Sequence, residues 1–489
     1  MAANLKQMLD FKGRIAKALA DKQLRGAVRY TADNLRTKRN AAVADLNAQA
    51  AEHLSIGTFE DLRKQARKIK EHTLQHLDYY LTQAAEQIRA NGGTVHWAAN
   101  AADVVRITEE IIDRRNAKKV IKAKSMASEE VMLNHALEAK GVEVVESDLG
   151  EYIIQLAHET PAHIVIPAIH KTRRQIADMF GEVAGREMST DTPTLTRFAR
   201  ETLRKKFMAA DIGVSGANFM VAETGTLCMV TNEGNGRLST SVPPVHLAIV
   251  GMEKLVPTME DLAVLYGLLP RSATGQKIST YFNMITGPRR PGEPDGPEEL
   301  HVIFLDNGRT NILGSKYEET LMCIRCGACL NVCPVYRNIG GHAYGSIYPG
   351  PIGSVISPLL TDFAEWTDLP QASSLCGACH EACPMGIHLH DHLVNLRMDM
   401  VEKAKADPGF TRVMKLWMAA WRRPAIYRLM SKIGYLGMRF YAKKRADGTE
   451  VAEHLPGPFA AWTNTRNFPP VAKRTFHERW ADLEQEGKK

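Results

Sequence analysis

The chain runs to 489 residues, of which 44% are hydrophobic and 24% charged. That is a globular composition with room for two to four domains, and it excludes a disordered, collagen-like or disulfide-stapled chain. The formal net charge is +7, yet residues 401–489 hold 18 Lys+Arg against 9 Asp+Glu, so the basic surplus belongs to the tail alone.

Residues 1–90 read as helical. Apolar residues recur at helical spacing through FKGRIAKALA and DLRKQARKIKEHTLQHLDYYLTQAAEQIRA, and Gly92-Gly93 ends the stretch. The N-terminus has no apolar h-region and no apolar run approaches ~18 residues, so neither a secretory signal nor a spanning helix is expected. The expected location is cytoplasmic.

From residue 94 strands and helices alternate. TVHWAA, KKVIKAKS, VEVVESD and HIVIPAI read as strands; AADVVRITEEIIDRRN and SEEVMLNHALEAKG read as helices, the second closing on Gly141. Short strands with Gly turns follow over 212–250, ending in VHLAIVG, and a last strand, HVIFLD, follows the Pro/Gly-rich segment GPRRPGEPDGPEE. The pattern predicts an α/β domain with a largely parallel sheet over 91–312. Residues 313–400 hold seven of the eight cysteines and form a separate helical module. Residues 401–489 form a basic, helical C-terminal region.

The cysteines carry the clearest chemistry. Cys323, Cys326, Cys329 and Cys333 follow the C-x2-C-x2-C-x3-C-P run of bacterial ferredoxins, with Pro334 in place. Cys376, Cys379, Cys383 and Pro384 repeat it without the first cysteine, whose place holds Ser373. Zinc wants four ligands at one site, and the first run alone supplies four within eleven residues, so iron–sulfur chemistry is the reading. In such runs the fourth cysteine serves the other cluster. Cys323, Cys326, Cys329 and Cys383 then hold one [4Fe-4S] cluster; Cys333, Cys376 and Cys379 hold a second. Its fourth ligand is open: the Ser373 hydroxyl, another side chain, solvent or substrate, or a three-iron cluster without it. His380 and His388 lie close in sequence and are candidates for that ligand or for a proton relay. An open iron site could bind a hydroxy acid as a Lewis acid.

In the α/β region, residues 223–237 combine Glu223, a glycine turn, a second turn and Arg237. Glycine turns expose N–H groups to anions, and Arg237 could pair a carboxylate; two tight sheet turns would use the same residues. Lys124 and Ser125 end a strand, where α/β folds place ligands, although Ser125 or Ser128 could simply cap the next helix. Glu223, Arg237 and Lys124 are the candidate catalytic residues. His163 and His170 read as structural and Cys228 as an inert core thiol. No G-x-G-x-x-G occurs, so no NAD or flavin fingerprint is expected.

The whole chain resembles the lactate-utilisation protein B family, the iron–sulfur subunits of L-lactate oxidation complexes. The resemblance rests on the cysteine run to Tyr336 and on motifs elsewhere. These are Lys122-Ala-Lys124-Ser125-Met126, Glu146-Ser-Asp148, Pro167-Ala-Ile-His170-Lys171, Asp211 to Phe219, Thr231 to Arg237, Ser272 to Gln276, and Gly340-Gly341-His342-Ala-Tyr344. It implies a NagB/RpiA/CoA-transferase-like lactate-utilisation domain followed by a helical ferredoxin module with two [4Fe-4S] clusters. It also implies two partner subunits, one Cys-rich and one carrying only the α/β domain, that together oxidise L-lactate to pyruvate.

The expected function is therefore electron transfer within that complex. The alternative is a small-anion-binding α/β enzyme, isomerase or transferase in type, with redox-sensing clusters. The ten basic and no acidic residues of 411–445 suggest docking on an acidic partner or peripherally on the anionic membrane face, whereas no nucleic-acid motif occurs.

Overall fold

A computed structural model describes residues 10–53, 57–361, 363, 365–403, 408–464 and 466–486. It divides into two compact units, residues 1–400 and 401–489.

Four helices open the first unit: α1 (Phe11–Ala20), α2 (Lys22–Glu52), α3 (Phe59–Gln75) and α4 (Leu77–Ala90). Asp10 and Asp21 cap the first two, and Thr58 and Asp61 form a reciprocal capping box on the third. The helical spacing of α2 buries one stripe, Leu24, Val28, Ala32, Leu35, Ala42 and Leu46.

The strands follow in chain order: β1 (Thr94–Ala98), β2 (Lys119–Lys122), β3 (Glu143–Glu146), β4 (Ile212–Ser215), β5 (Phe219–Val221), β6 (Thr226–Thr231), β7 (Val245–Gly251), β8 (Leu255–Val256), β9 (Tyr281–Ile285) and β10 (Glu299–Leu305). Six of them make one wholly parallel sheet in the order β1-β10-β7-β4-β2-β3. The apolar run VHLAIVG becomes the central β7, buried at every residue, as a strand covered on both faces must be. Val245 stands in register with Ile212 on one side and Glu299 on the other. Gly213 is needed in β4 because a Cβ there would lie 1.7 Å from the Ser239 carbonyl oxygen. The remaining strands form a second sheet, β8-β5-β6-β9, built on the β5–β6 hairpin.

Two sequence expectations fail locally. HIVIPAI is not a strand: residues 161–171 are bends and turns. His163 Nδ1 accepts the amides of Val165 and Ile166, and Ala162 N–H donates to Pro167 O, so the segment bonds to itself and not to a sheet. SEEVMLNHALEAKG is two helices, Met126–Glu130 and Leu133–Ala139, broken at Met132 with φ +53°. Ser125 caps the first of them.

In the second unit, helices Pro408–Trp421 and Pro424–Met438 precede a hairpin of β11 (Ala442–Lys444) and β12 (Glu450–Ala452), and helix Phe476–Glu486 follows. The first two helices expose Leu416, Trp417, Leu429, Ile433 and Leu436 beside the basic residues. No helix among the described residues is long and apolar enough to cross a membrane.

Candidate iron–sulfur centres and the adjoining cavity

The two cysteine loops have the same backbone. Arg325 (φ +58°) and Leu375 (φ +54°) both sit in the left-handed region, as do Gly327 (+76°) and Gly377 (+78°). Each loop runs into a one-turn helix, Ala328–Val332 or Ala378–Ala382, that ends at a Cys-Pro. A left-handed non-glycine residue costs roughly 1–2 kcal/mol, so its repetition marks a geometry imposed by the site. Ser373 occupies the place of Cys323 in this repeat. Arg325 N–H donates to Cys323 Sγ at 3.4 Å, and Leu375 N–H donates to Ser373 Oγ at 3.1 Å.

The thiols fall into two sets. Cys323, Cys326, Cys329 and Cys383 line one small chamber, closed by Ile324, Ile352, Met385 and Ile387. Cys326 lies within electrostatic reach of Cys383 and Cys323, whereas Cys333 senses Cys376, and Cys379 senses Cys333 and Cys376. Cys329 senses its own set and also Cys379, so the two sets are neighbours. None of these thiols is in a disulfide. Burial pushes Cys383 up to about 11 and Cys379 up to about 12, and drives Cys326 higher still. Metal binding reverses that preference, because coordination deprotonates a thiol outright. Soft sulfur donors in a water-poor chamber fit an iron–sulfur cluster.

The N-terminal helices hold these loops in place. Arg39 Nη2 donates to Ala382 O (3.1 Å), Arg63 Nη2 to His380 O (2.9 Å) and Arg67 Nη1 to Gly386 O (2.8 Å). Glu319 collects Arg67 (2.8 Å), the His388 amide (2.7 Å) and His392 Nε2 (2.7 Å). Burial pushes Glu319 up, but these hydrogen bonds outweigh it and hold the carboxyl well below its ordinary value. His388 stacks on His380 at 4.3 Å, and His380 Nδ1 lies 3.2 Å from Ile387 O; both rings are engaged with protein groups other than the thiols.

Beside the first thiol set lies a cavity of about 490 Å³. One wall is formed where the neighbouring strands β2, β4 and β7 end: Ala123 to Ser125, Gly216 to Asn218, and Gly251 to Lys254 contribute lining residues. Ligands of parallel α/β sheets bind at this edge. Arg325, Cys326 and Tyr348 also line the cavity. Ile164, Arg325 and Cys326 also line the thiol chamber, so the two spaces share a wall.

A buried charge network underlies the cavity. Arg309 Nε donates to Glu253 Oε2 (2.5 Å), while its Nη1 and Nη2 donate to the two oxygens of Glu130 (2.9 Å each). Tyr348 O–H also donates to Glu130 (2.5 Å). Burial raises Glu253, yet Arg309, Lys254 and Arg325 hold it down at about 2. Lys70, from α3, donates to the carbonyls of Glu253 and Leu255. Burial lowers Lys70 to about 7 and Lys254 to about 8.

The structure separates the three candidate residues of the α/β region. Lys124 lines the cavity, with Nζ donating to Val165 O at 2.9 Å. Glu223 stands apart and accepts the Met259 amide (2.9 Å) at the start of helix Met259–Ala273. Arg237 is exposed on helix Asn235–Ser241. Between them, Thr231, Asn232, Glu233 and Asn235 do reach the cavity, and Asn232 exchanges two hydrogen bonds with Gln276 at its edge.

The remaining singled-out residues are structural. His163 is buried; its Nδ1 accepts two amides, so Nε2 carries the proton and donates to Asn331 Oδ1 at 3.1 Å. His170 pairs with Glu159 (2.6 Å), which also takes Lys171 (2.6 Å). Cys228 is buried in β6, its thiol pushed up to about 12 by burial. The residues that sequence reading missed are Arg325, Lys254 and Lys70. Arg325 alone carried a signal, its place inside the cysteine run.

Three family models match the chain: a LUD domain at residues 46–305, a 4Fe-4S dicluster domain at 319–387, and the C-terminal region of lactate utilisation protein B at 397–485. The chain is 46% identical over 98% of its length to a protein of Bacillus cytotoxicus named lactate utilization protein B, covering 98% of that protein. Proteins of the same name from Bacillus licheniformis and Bacillus thuringiensis are 44% and 45% identical, over 97% and 98% of both chains. A solved DUF162 family protein from Deinococcus radiodurans aligns with 47% of this chain and 98% of its own, at 14% identity and a TM-score of 0.26. With its LUD domain, its 4Fe-4S dicluster domain and close relatives along nearly its whole length, the chain belongs to the lactate utilisation protein B family.

Proposed function

We propose that this chain is the electron-carrying subunit of a complex that oxidises L-lactate to pyruvate. The observation that carries the proposal is the sorting of seven thiols into two adjacent sets by the crossed cysteine loops. Cys323, Cys326, Cys329 and Cys383 would hold one [4Fe-4S] cluster, and Cys333, Cys376 and Cys379 the second. When bound, such clusters supply one-electron storage, matched to a reaction that releases two electrons and two protons.

The chain's own residues set the surroundings. Ile164, Ile324, Ile352 and Ile387 keep water from the first set. Arg39 places positive charge beside Cys326 and Cys383, which favours the anionic thiolate form. We assign the fourth position of the second set to Ser373, because it repeats the backbone place and the hydrogen bond of Cys323. The two partner subunits are those the family resemblance implies, and the basic helices of 408–438 are the surface for an acidic partner. Sedimentation with anionic vesicles would instead reveal a membrane contact.

Iron analysis and Mössbauer spectroscopy of anaerobically purified protein test the assignment. Two intact clusters give about eight irons per chain. Ser373→Ala should lose about one iron and show a three-iron signal, and Ser373→Cys should restore the count. An unchanged spectrum in Ser373→Ala would remove serine as a ligand. A total near four irons would contradict the two-cluster reading.

A further inference from the structure

The cavity is lined by two cations, Arg325 and Lys254, with donor groups that no acceptor among the described residues takes. Arg325 is buried, with 7% of its side chain exposed, and both Nη1 and Nη2 lack a hydrogen-bond partner. Its nearest carboxylate oxygen, Glu253 Oε1, is 3.5 Å away, while the other oxygen of that carboxylate is taken by Arg309. One face of the guanidinium covers the Tyr348 ring, 4.6 Å from its centroid, which leaves the N–H edge as the binding edge. Lys254 lines the same cavity, and its Nζ makes no hydrogen bond or ion pair among the described residues. Lys124, by contrast, is spent on Val165 O.

Buried polar groups are normally paired, and a buried charged donor left unpaired is costly. A guanidinium edge matches the two oxygens of a carboxylate, and an ammonium adds a second charge-assisted bond. We infer that the cavity is the binding site of a small 2-hydroxy or 2-oxo monocarboxylate, its carboxylate held by Arg325 and Lys254. This rests on the lactate-oxidising reading above and adds to it a location: on this chain, at the strand ends, with Cys326 in the wall shared with the thiol chamber. A rival role exists for the two cations, which is to balance the negative charge of the first cysteine set. Both cations lie within electrostatic reach of Cys323, but Arg325 lines both spaces and Lys254 only the cavity. Lys254→Met therefore separates the two roles when pyruvate binding and cluster potential are read together.

The test is calorimetric titration of the anaerobic, iron-loaded full chain with pyruvate and with L-lactate, with acetate as the acid lacking the C2 oxygen. Both three-carbon acids should bind, and acetate more weakly. Lys254→Met should weaken pyruvate at least tenfold with iron content and visible spectrum unchanged. Arg325→Lys, which keeps the charge and loses the fork, should weaken it as well.

The inference is overturned if neither acid binds, or if Lys254→Met binds pyruvate like the parent; a shifted cluster potential in that variant would assign Lys254 to charge balance instead. A parallel measurement, lactate-driven reduction of the clusters in the assembled complex, separates the two proposals. Reduction without binding to this chain overturns the cavity assignment and leaves electron transfer standing. Binding without reduction supports the cavity and counts against the electron-transfer reading.

Discussion

Arg309→Met is the sharpest test of what joins the α/β sheet to the cysteine module. Arg309 follows β10, Glu130 ends the first helix after β2, Glu253 follows β7, and Tyr348 precedes helix Gly350–Leu360. The substitution removes three charge-assisted bonds to carboxylates, at 2.5, 2.9 and 2.9 Å, and one to the Asp306 carbonyl at 2.8 Å. It leaves Glu130 and Glu253 with 6% and 2% of their side chains exposed and their main counter-charge gone. Removing one partner of a buried pair costs about 3–5 kcal/mol, a large share of a typical total of about 5–15 kcal/mol. The assay is anaerobic urea unfolding, followed by tryptophan fluorescence and circular dichroism. Adding Glu130→Gln should recover part of the loss, since it removes one of the orphaned charges. A loss below about 1 kcal/mol, with no coupling in the double variant, would show that this network does not hold the sheet to the cysteine module.

Other outcomes follow from single contacts. A Cβ at Gly353 would lie 1.6 Å from the Tyr348 carbonyl oxygen, so Gly353→Ala should displace helix Gly350–Leu360 and lower iron content in purified protein. Glu319 titrates below its unfolded value, so the stability it adds is present above the ordinary carboxylate pKa of about 4.3 and disappears as pH falls toward its folded value. Thermal scans should show the parent more stable than Glu319→Gln at pH 7, with the gap closing below about pH 4. A gap that is constant with pH would mean that the carboxylate charge is irrelevant.

Much of the scaffold was legible because its signals are local. β1, β2, β3, β7 and β10 announce themselves as short apolar runs bounded by turns or helices, and the cysteine spacing alone located both loops. What escaped depends on distant partners. HIVIPAI has the composition of a strand, but His163 satisfies its amides and Ile164 and Val165 close over Gly327, 3.3 Å from where a Cβ would be. β9 pairs with β6 across 50 to 58 residues, and nothing in its own sequence shows that register. The cavity was half legible: Lys124, Thr231, Asn232, Glu233 and Asn235 reach it. Glu223 and Arg237 flank the same segment but turn to a helix start and to the surface. Lys254 and Arg325 become a pair only when β7 and the cysteine loop are packed together.

If lactate-derived electrons pass through two clusters on this chain, lactate alone must reduce them. The most direct measurement is low-temperature EPR of the chain assembled with its two partner subunits, before and after anaerobic addition of L-lactate, with dithionite as reference. A reduced-cluster signal should appear on lactate addition and be lost in Cys326→Ser and in Cys379→Ser. A signal that appears with dithionite and never with lactate would contradict electron transfer through this chain.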